Sequence, residues 1–376
     1  MSGISASEYV ETIIIGGGQS GLSIGYQLAQ RGLPYLILDA GERVGDSWRN
    51  RWDSLRLFTP ACYDGLAGMP FPAESRHYFP TKDEMADFLE HYARHFQLEV
   101  RNGVRVDSLT RSGDRFLIRA GVQRFEASNV VIAMSNYQHP RVPPFAEDLD
   151  PGILQLTAGN YRNPEQLQSG PVLVVGAGNS GAEIAQETSA HHRTYLSGND
   201  LGQVPFKIDG FLSKLILARL VLRGLFHYVI TVDTPLGRKL RPKLISHGGP
   251  LIRTKRKHLA RAGVEFLPRV AGTSDGRPQL EDGRVLDVAN VIWCTGFHAG
   301  FSWIDLPVHG EVEPEHERGI ARNVPGLYFL GLFFLYSLSS VMVQGLERDA
   351  SRIADHIESR YRTGTERARE LVGVRN

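Results

Sequence analysis

Two glycine-rich turns of one design, 160 residues apart, predict an α/β fold made of two dinucleotide-binding (Rossmann-like) domains, the second inserted into the first. The turns are IIIGGGQSG, with Gly16, Gly18 and Gly21, and VLVVGAGNSG, with Gly176, Gly178 and Gly181. Each follows an apolar strand and precedes a helix. One such turn is a weak signal. The pair implies two dinucleotides facing each other, the layout of a flavoprotein reduced by a nicotinamide.

In each copy the first glycine makes the tight turn, the second lets the backbone approach a pyrophosphate, and the third lets helix pack on strand. The helix N-terminus adds free N–H groups and positive partial charge. In the first copy Thr12 to Ile15 is β-branched, Ser20 to Arg31 reads as the helix, and Tyr35 to Leu38 as the next strand, closed by Asp39. A carboxylate there accepts hydrogen bonds from ribose hydroxyls and repels a ribose phosphate, which fits FAD. The expected FAD set is therefore Gly16, Gly18, Gln19, Ser20, Gly21 and Asp39, joined by Val106 and Ala133. In the second copy the matching strand, Thr194 to Leu196, runs into Ser197, Gly198 and Asn199 with no carboxylate, so NADPH is tolerated. Its expected set is Gly176, Gly178, Asn179, Ser180, Gly181, Ser197 and Asn199, with Thr295 and Gly296 from the returning turn.

Composition fits this reading. The 376 residues suit two domains, 42% hydrophobic content supplies ordinary cores, and a net charge of +1 argues against nucleic acid as a partner. Cys62 and Cys294 form no C-x-x-C pair, which removes a dithiol relay, and both read as small buried residues. The first residues lack a basic n-region and no uncharged stretch reaches membrane-spanning length, so a cytoplasmic enzyme is expected. No metal site is expected: His91 and His95 stand one helical turn apart without the glutamate of H-E-x-x-H or a third ligand.

The domains follow from the turns. Residues 1–150 read as the first part of the FAD domain, 151–290 as the NADPH domain, and 291–376 as the second part of the FAD domain. A helix starts at the capping box Thr81-x-x-Glu84, burying Met85, Phe88, Leu89, Tyr92 and Phe96. Prolines 140, 143, 144, 151 and 164 mark an extended crossing between domains. Strand Val291 to Cys294 leads back toward the flavin, and Leu327 to Leu330 is the last flavin-domain strand. Near the end, Ser337 to Ser340 precedes an amphipathic helix whose N–H groups, with Ser339, are expected to face the flavin and stabilise its reduced charge, with a serine-capped surface helix as the alternative.

These residues carry a family resemblance over nearly the whole chain. GDSWRNRWDSLRLFTP from Gly45 to Pro60, the second turn GAGNSGAEIA, WCTGF from Trp293, and GLYFLG followed by ERDASRIADHI resemble the class B flavin-dependent monooxygenases. Within that family the chain is similar to short bacterial flavoproteins labelled for potassium transport and to the plant auxin-forming flavin monooxygenases. The resemblance implies FAD and NADPH as cofactors, with a small organic substrate and molecular oxygen as partners, and a homodimer as candidate assembly. It implies a flavin C(4a)-hydroperoxide that oxygenates nitrogen, sulfur or a carbonyl carbon. The alternatives on the same scaffold are an NAD(P)H oxidase or dehydrogenase, or a flavin-binding redox regulator. The family pattern places Trp48 and Arg49 against the isoalloxazine and Leu57 to Pro60 near its reactive edge, with Thr59, Thr157 and Asn160 as candidates near the flavin.

The departures are specific. Where relatives read like QLHSSDYRNP this chain has Gln155 to Pro164 with Thr157 at the histidine position. Relatives place arginine at Asn199, a partner for a ribose phosphate. The first return strand ends Ala133-Met134-Ser135 where many have Ala-Thr-Gly, and Glu347 stands where glycine is frequent. The basic run Arg253, Lys255, Arg256 and Lys257 reads as a solvated face, with a replacement for the missing phosphate contact as the alternative. The apolar, acid-free stretch Phe211 to Val232 reads as a lid over the substrate channel, with a membrane-surface helix as the alternative.

Overall fold

The computed structural model describes residues 7–204, 219–247, 250–308, 310 and 313–373. The chain opens with β1 (Glu8–Ile15), α1 (Gln19–Gln30), β2 (Tyr35–Leu38), the single turn α2 (Asp46–Arg49) and α3 (Lys82–His95). Strands β3 (Val100–Arg101), β4 (Ser108–Ser112), β5 (Arg115–Ala120), β6 (Gln123–Ile132) and β7 (His139–Pro140) follow, then β8 (Leu154–Thr157), β9 (Val172–Val175), α4 (Asn179–Thr188) and β10 (Thr194–Ser197). A π-helix, Arg219–Val229, precedes α5 (Pro235–His247) and α6 (Arg256–Arg261). Next come β11 (Glu265–Leu267), the hairpin of β12 (Val270–Ser274) and β13 (Arg277–Leu280), and β14 (Asn290–Trp293). Short strands β15 (Phe297–His298), β16 (His316–Glu317), β17 (Ile320–Ala321) and β18 (Leu327–Phe329) lead to α7 (Val343–Gly373).

Two sheets organise these elements. The first runs β16-β17-β18-β6-β1-β2-β3, with the β4–β5 hairpin attached to β6. Its central strands pair in parallel, and the inner residues Ile13 to Ile15, Leu36 to Leu38, Val130 to Ile132 and Leu327 to Phe329 are buried. Such unbroken apolar runs suit strands covered on both faces. Helices α1, α3 and α7 supply Leu22, Phe88, Tyr92, Leu346 and Ile353 to the same core. The second sheet runs β11-β10-β9-β14-β8, entirely parallel, and packs against α4 and α6 through Val172, Val174, Ile184, Leu196 and Leu259.

Several expectations meet their element. The helix from the Thr81 capping box is α3: the Thr81 side chain accepts from the Glu84 N–H at 3.2 Å, and Glu84 accepts in return from the Thr81 N–H at 2.7 Å. The strand expected at Leu327 to Leu330 is β18, paired with β6.

Others need correction. The strand read from Val291 to Cys294 as a return to the flavin is β14, hydrogen-bonded between β9 and β8 inside the second sheet, so the boundary drawn at residues 290 and 291 cuts through that sheet. The chain crosses back only at β15, which pairs with β7. Cys62 is exposed rather than buried, whereas burial pushes the half-buried Cys294 thiol up to about 12. Residues 211–218 of the expected lid lie outside the described residues. The rest of it, Arg219–Val229, packs Leu222 and Phe226 against Phe58, Tyr63, Phe79, Val204 and Ile252. No helix among the described residues is long and apolar enough to cross a membrane.

Candidate functional site

The two glycine turns fold into the same cradle. Gly16 takes φ +110°, and a Cβ on it would stand 2.9 Å from the Ala133 carbonyl. A Cβ on Gly21 would overlap the Gly16 oxygen, so α1 can descend onto β1 only if both residues are glycine. The second turn repeats this: Gly176 takes φ +113° against the Cys294 carbonyl, and a Cβ on Gly181 would overlap the Gly176 oxygen. By contrast, the Cβ positions of Gly18 and Gly178 meet nothing closer than 3.7 and 4.0 Å. That open side lies at the start of α1 and α4, whose N-cap glycines form no side-chain cap and leave first-turn N–H groups available. The arrangement fits a dinucleotide pyrophosphate at each turn.

Around the first cradle, Asp39 holds the loop. Its Oδ2 accepts from the Gly17 N–H, and its Oδ1 accepts from the Gly41 N–H at 2.7 Å. These bonds fix the carboxylate and leave lone pairs for ribose hydroxyls. Gln19 Oε1 accepts from the Trp48 indole N–H at 3.1 Å, which sets the half-buried indole on the mouth of the cradle. Ala133 closes the floor, and Val106 packs on the main core. Ser20 is buried where Gly331, at φ +80°, approaches it.

Arg49 departs from its expected place on the isoalloxazine. Its guanidinium donates to Val44 O at 2.7 Å, Asp87 at 2.8 Å and Glu90 at 2.7 Å, so its donors are committed to α3 and the loop before α2. Leu57 is buried in the core, with its N–H donating to Pro80 O at 2.8 Å. Thr59 is buried and donates to Asp64 Oδ1. Asp64 is fully buried with Oδ2 unpartnered, and burial raises its carboxyl well above the usual range, partly offset by the Thr59 hydroxyl. Sequence reasoning passed over Asp64, because an aspartate in a loop carries no mark of burial.

The segment after α2 joins the two halves. Trp52 packs in the second core with Ala158 and Tyr161, the Asp53 N–H donates to Arg162 O at 2.8 Å, and Arg51 lies 6.0 Å from the Phe297 ring. Thr157 and Asn160 meet here. Asn160 Oδ1 accepts from the Thr157 N–H at 2.6 Å and from its hydroxyl at 3.0 Å, forming a closed turn. Tyr161 is buried with its hydroxyl on Glu187 at 2.8 Å and cannot stand in for the missing histidine.

On the second cradle Asn179 ties the loop at 250–252, donating to Pro250 O at 3.1 Å and accepting from the Ile252 N–H at 3.0 Å. Ser180 follows it on the first turn of α4. Ser197 is a correction: it is fully buried, donates to Pro268 O at 2.7 Å and accepts from the Val270 N–H at 3.1 Å, so it presents nothing to a nucleotide. Asn199 is exposed. Thr295 donates to Arg141 O, and Gly296, at φ +91°, accepts from the Arg141 N–H at 2.8 Å. The basic run is only partly a solvated face: Arg253 pairs with Glu183 at 3.1 Å and Lys255 is buried, whereas Arg256 pairs with Asp200 at the surface and Lys257 is exposed.

Ser339 lies in a buried polar knot ahead of α7. Its hydroxyl is 2.8 Å from His227 Nδ1 and 2.9 Å from Ser337 Oγ, and Arg348 reaches Ser337 Oγ at 2.9 Å. Burial and the nearby Arg348 and Arg223 lower His227 to about 4, so it is neutral at pH 7.

Residues 13–200 match the profile of the pyridine nucleotide-disulphide oxidoreductases. The chain belongs to that family. It is 38% identical to a CzcO-like oxidoreductase of Geobacillus kaustophilus over 93% of this chain and 98% of that one. It is 33% identical to the indole-3-pyruvate monooxygenase YUCCA1 of Oryza sativa, over 96% and 94% of the two chains, which places it among the flavin monooxygenases. A mutant flavin monooxygenase from Stenotrophomonas maltophilia superposes with a TM-score of 0.75 at 27% identity, covering 94% of this chain and 99% of that one.

Proposed function

We propose that this chain is an NADPH-dependent FAD monooxygenase that transfers one oxygen atom to nitrogen, sulfur or a carbonyl carbon of a small organic substrate. The observation that carries it is the doubled cradle: two glycine turns of matching geometry on two parallel sheets, only the first of which places a carboxylate directly after its second strand. On this reading the body built from both ends of the chain holds FAD and the inserted body holds NADPH, with the domain change after β14 rather than before it. The free cysteines suit the reducing cytoplasm as its place of work.

The chain's own residues bind, orient and exclude water. First-turn N–H groups of α1 and α4 take the pyrophosphates, Asp39 takes a ribose, and Gln19 fixes Trp48 against the cofactor. Bound FAD, once reduced, supplies oxygen activation. Leu57, Thr59 and the π-helix keep the reacting edge dry, and burial of Asp64 in that enclosure favours its protonated form. A cleft of about 600 Å³ between the 61–71 loop, Arg76, Arg223 and the start of α7 is the substrate entrance.

Turnover with NADPH under ¹⁸O₂ tests this reading. Indole-3-pyruvate, named for the rice relative, heads the panel of amines, sulfides, ketones and 2-oxo acids. Label in an organic product supports oxygenation. NADPH consumption matched by peroxide, with no labelled product across the panel, would replace it with an oxidase.

A further inference from the structure

In strand register, the residue that matches Asp39 is Gly198, because Leu38 pairs with Ile15 before the first cradle and Ser197 with Val175 before the second. The acidic group comes two residues later, at Asp200. Gly198 takes φ +148°, and a Cβ on it would stand 2.8 Å from the Ala177 nitrogen, so the chain leaving β10 lies directly against the second cradle. That chain is fixed from the side. The Val204 N–H donates to Leu251 O at 2.9 Å, the Leu251 N–H to Gly202 O at 3.0 Å, and Lys255 Nζ to Val204 O at 2.8 Å.

This ladder sets Arg256, the first residue of α6, beside Asp200, with Nη1 to Oδ2 at 3.4 Å. The other Asp200 oxygen accepts from the Gly202 N–H at 2.8 Å. The guanidinium lies 4.2 Å from the Phe266 ring centroid, a contact that orients it without using its N–H donors. The side chains are 39% and 58% exposed, so a ligand can reach both.

We propose that Asp200 and Arg256 are the nicotinamide-specificity pair of this chain. Arg256 takes the adenosine 2′-phosphate of NADPH, Asp200 takes the ribose hydroxyls of NADH, and each restrains the other. The proposal rests on the assignment of the second cradle to a nicotinamide nucleotide. A lone carboxylate there would repel the phosphate, and a lone guanidinium would favour it strongly. The exposed pair is weak enough for either ligand to open it.

The test is calorimetric binding of 2′,5′-ADP and 5′-AMP to the FAD-loaded protein, which reads the site without turnover. Arg256→Ala should weaken 2′,5′-ADP about tenfold or more while changing 5′-AMP by less than about threefold, and Arg256→Lys should restore part of the loss. Asp200→Asn should tighten 2′,5′-ADP about tenfold and weaken 5′-AMP. Equal weakening of both ligands by Arg256→Ala, or no change in either, would overturn the pair and leave the nicotinamide assignment standing. Failure of the unaltered protein to bind either ligand would overturn that assignment, and the pair with it.

Discussion

The two cradles are nearly superimposable in their bonding and differ in what surrounds them. The Gly16 N–H donates to Leu38 O at 2.8 Å, as the Gly176 N–H does to Ser197 O, and the returning strands dock alike, Ala133 on Ile15 O at 2.8 Å and Cys294 on Val175 O at 2.7 Å. The first helix residue then diverges: Gln19 holds an aromatic ring, whereas Asn179 holds the backbone of the 250–252 loop. Beyond the strand, Asp39 braces the first loop with its carboxylate, and the second is closed by a bare glycine. The comparison teaches that glycines and parallel register build a phosphate seat, and that the few residues after the second strand decide which nucleotide sits there.

The largest effect should come from filling one seat at a time. Gly21→Ala should cost FAD affinity at least about a hundredfold, giving colourless protein, since its Cβ overlaps the Gly16 oxygen. Gly181→Ala should leave the protein yellow and slow its bleaching by NADPH to a similar degree. Absorbance at 450 nm per chain and anaerobic stopped-flow reduction separate the two, and loss of flavin from Gly181→Ala would break the proposed division of labour. Next in size, Asp39→Ala should weaken FAD by about 1.5–3 kcal/mol, measured by flavin release during titration. Unchanged affinity would mean that the carboxylate only braces Gly17 and Gly41.

Asp64 sharpens the contrast between the buried 57–64 segment and the seats. Its folded-state carboxyl lies above the ordinary value because burial disfavours the charge, so the folded protein binds the proton more tightly than the unfolded chain. The stabilisation is therefore full below the unfolded value near 3.8 and is lost as pH rises toward the folded one. Asp64→Asn should gain thermal stability relative to the parent as pH is raised from about 4 toward 8. A melting-temperature difference that stays flat across that range would mean the carboxyl is ionised in the fold.

The smallest effect concerns the ends of the return strands. Ser135 holds φ +61° where the register-equivalent Gly296 holds +91°. Ser135→Gly should stabilise the fold by about 0.5–1 kcal/mol by relieving left-handed strain, less the added chain entropy. A lower melting temperature would show that the Ser135 hydroxyl, which accepts from the Tyr137 N–H at 3.3 Å, outweighs the strain.

Both cradles and α3 were legible in the sequence because each depends on local rules: glycine where a Cβ has no room, and threonine with glutamate at a helix start. The misreadings share a different cause. Three apolar residues in β14, Val291 to Trp293, declare a buried strand and say nothing of which sheet receives it. Ser197 resembles a ligand residue until its hydroxyl is found serving Pro268 and Val270, and Arg49 resembles a flavin contact until Asp87 and Glu90 claim it. Asp64, His227 and the Asp200–Arg256 pair depend on contacts between distant segments, which no spacing reports.

The β7–β15 ladder has a bearing on how the chain first assembles. Strand β6 finds its partner β18 only across the whole inserted body, since Val130 pairs with Leu327. Closing a disordered loop of that span costs about 4–5 kcal/mol. Pairing of His139 and Pro140 with His298 and Phe297 brings the two ends of the insertion together, so once the second body has formed it behaves as a short connection. The inserted body should thus fold first and template the other. Until residue 327 emerges from the ribosome, the Val130 to Ile132 edge stands open, and damage to the inserted body should surface as aggregation of the other.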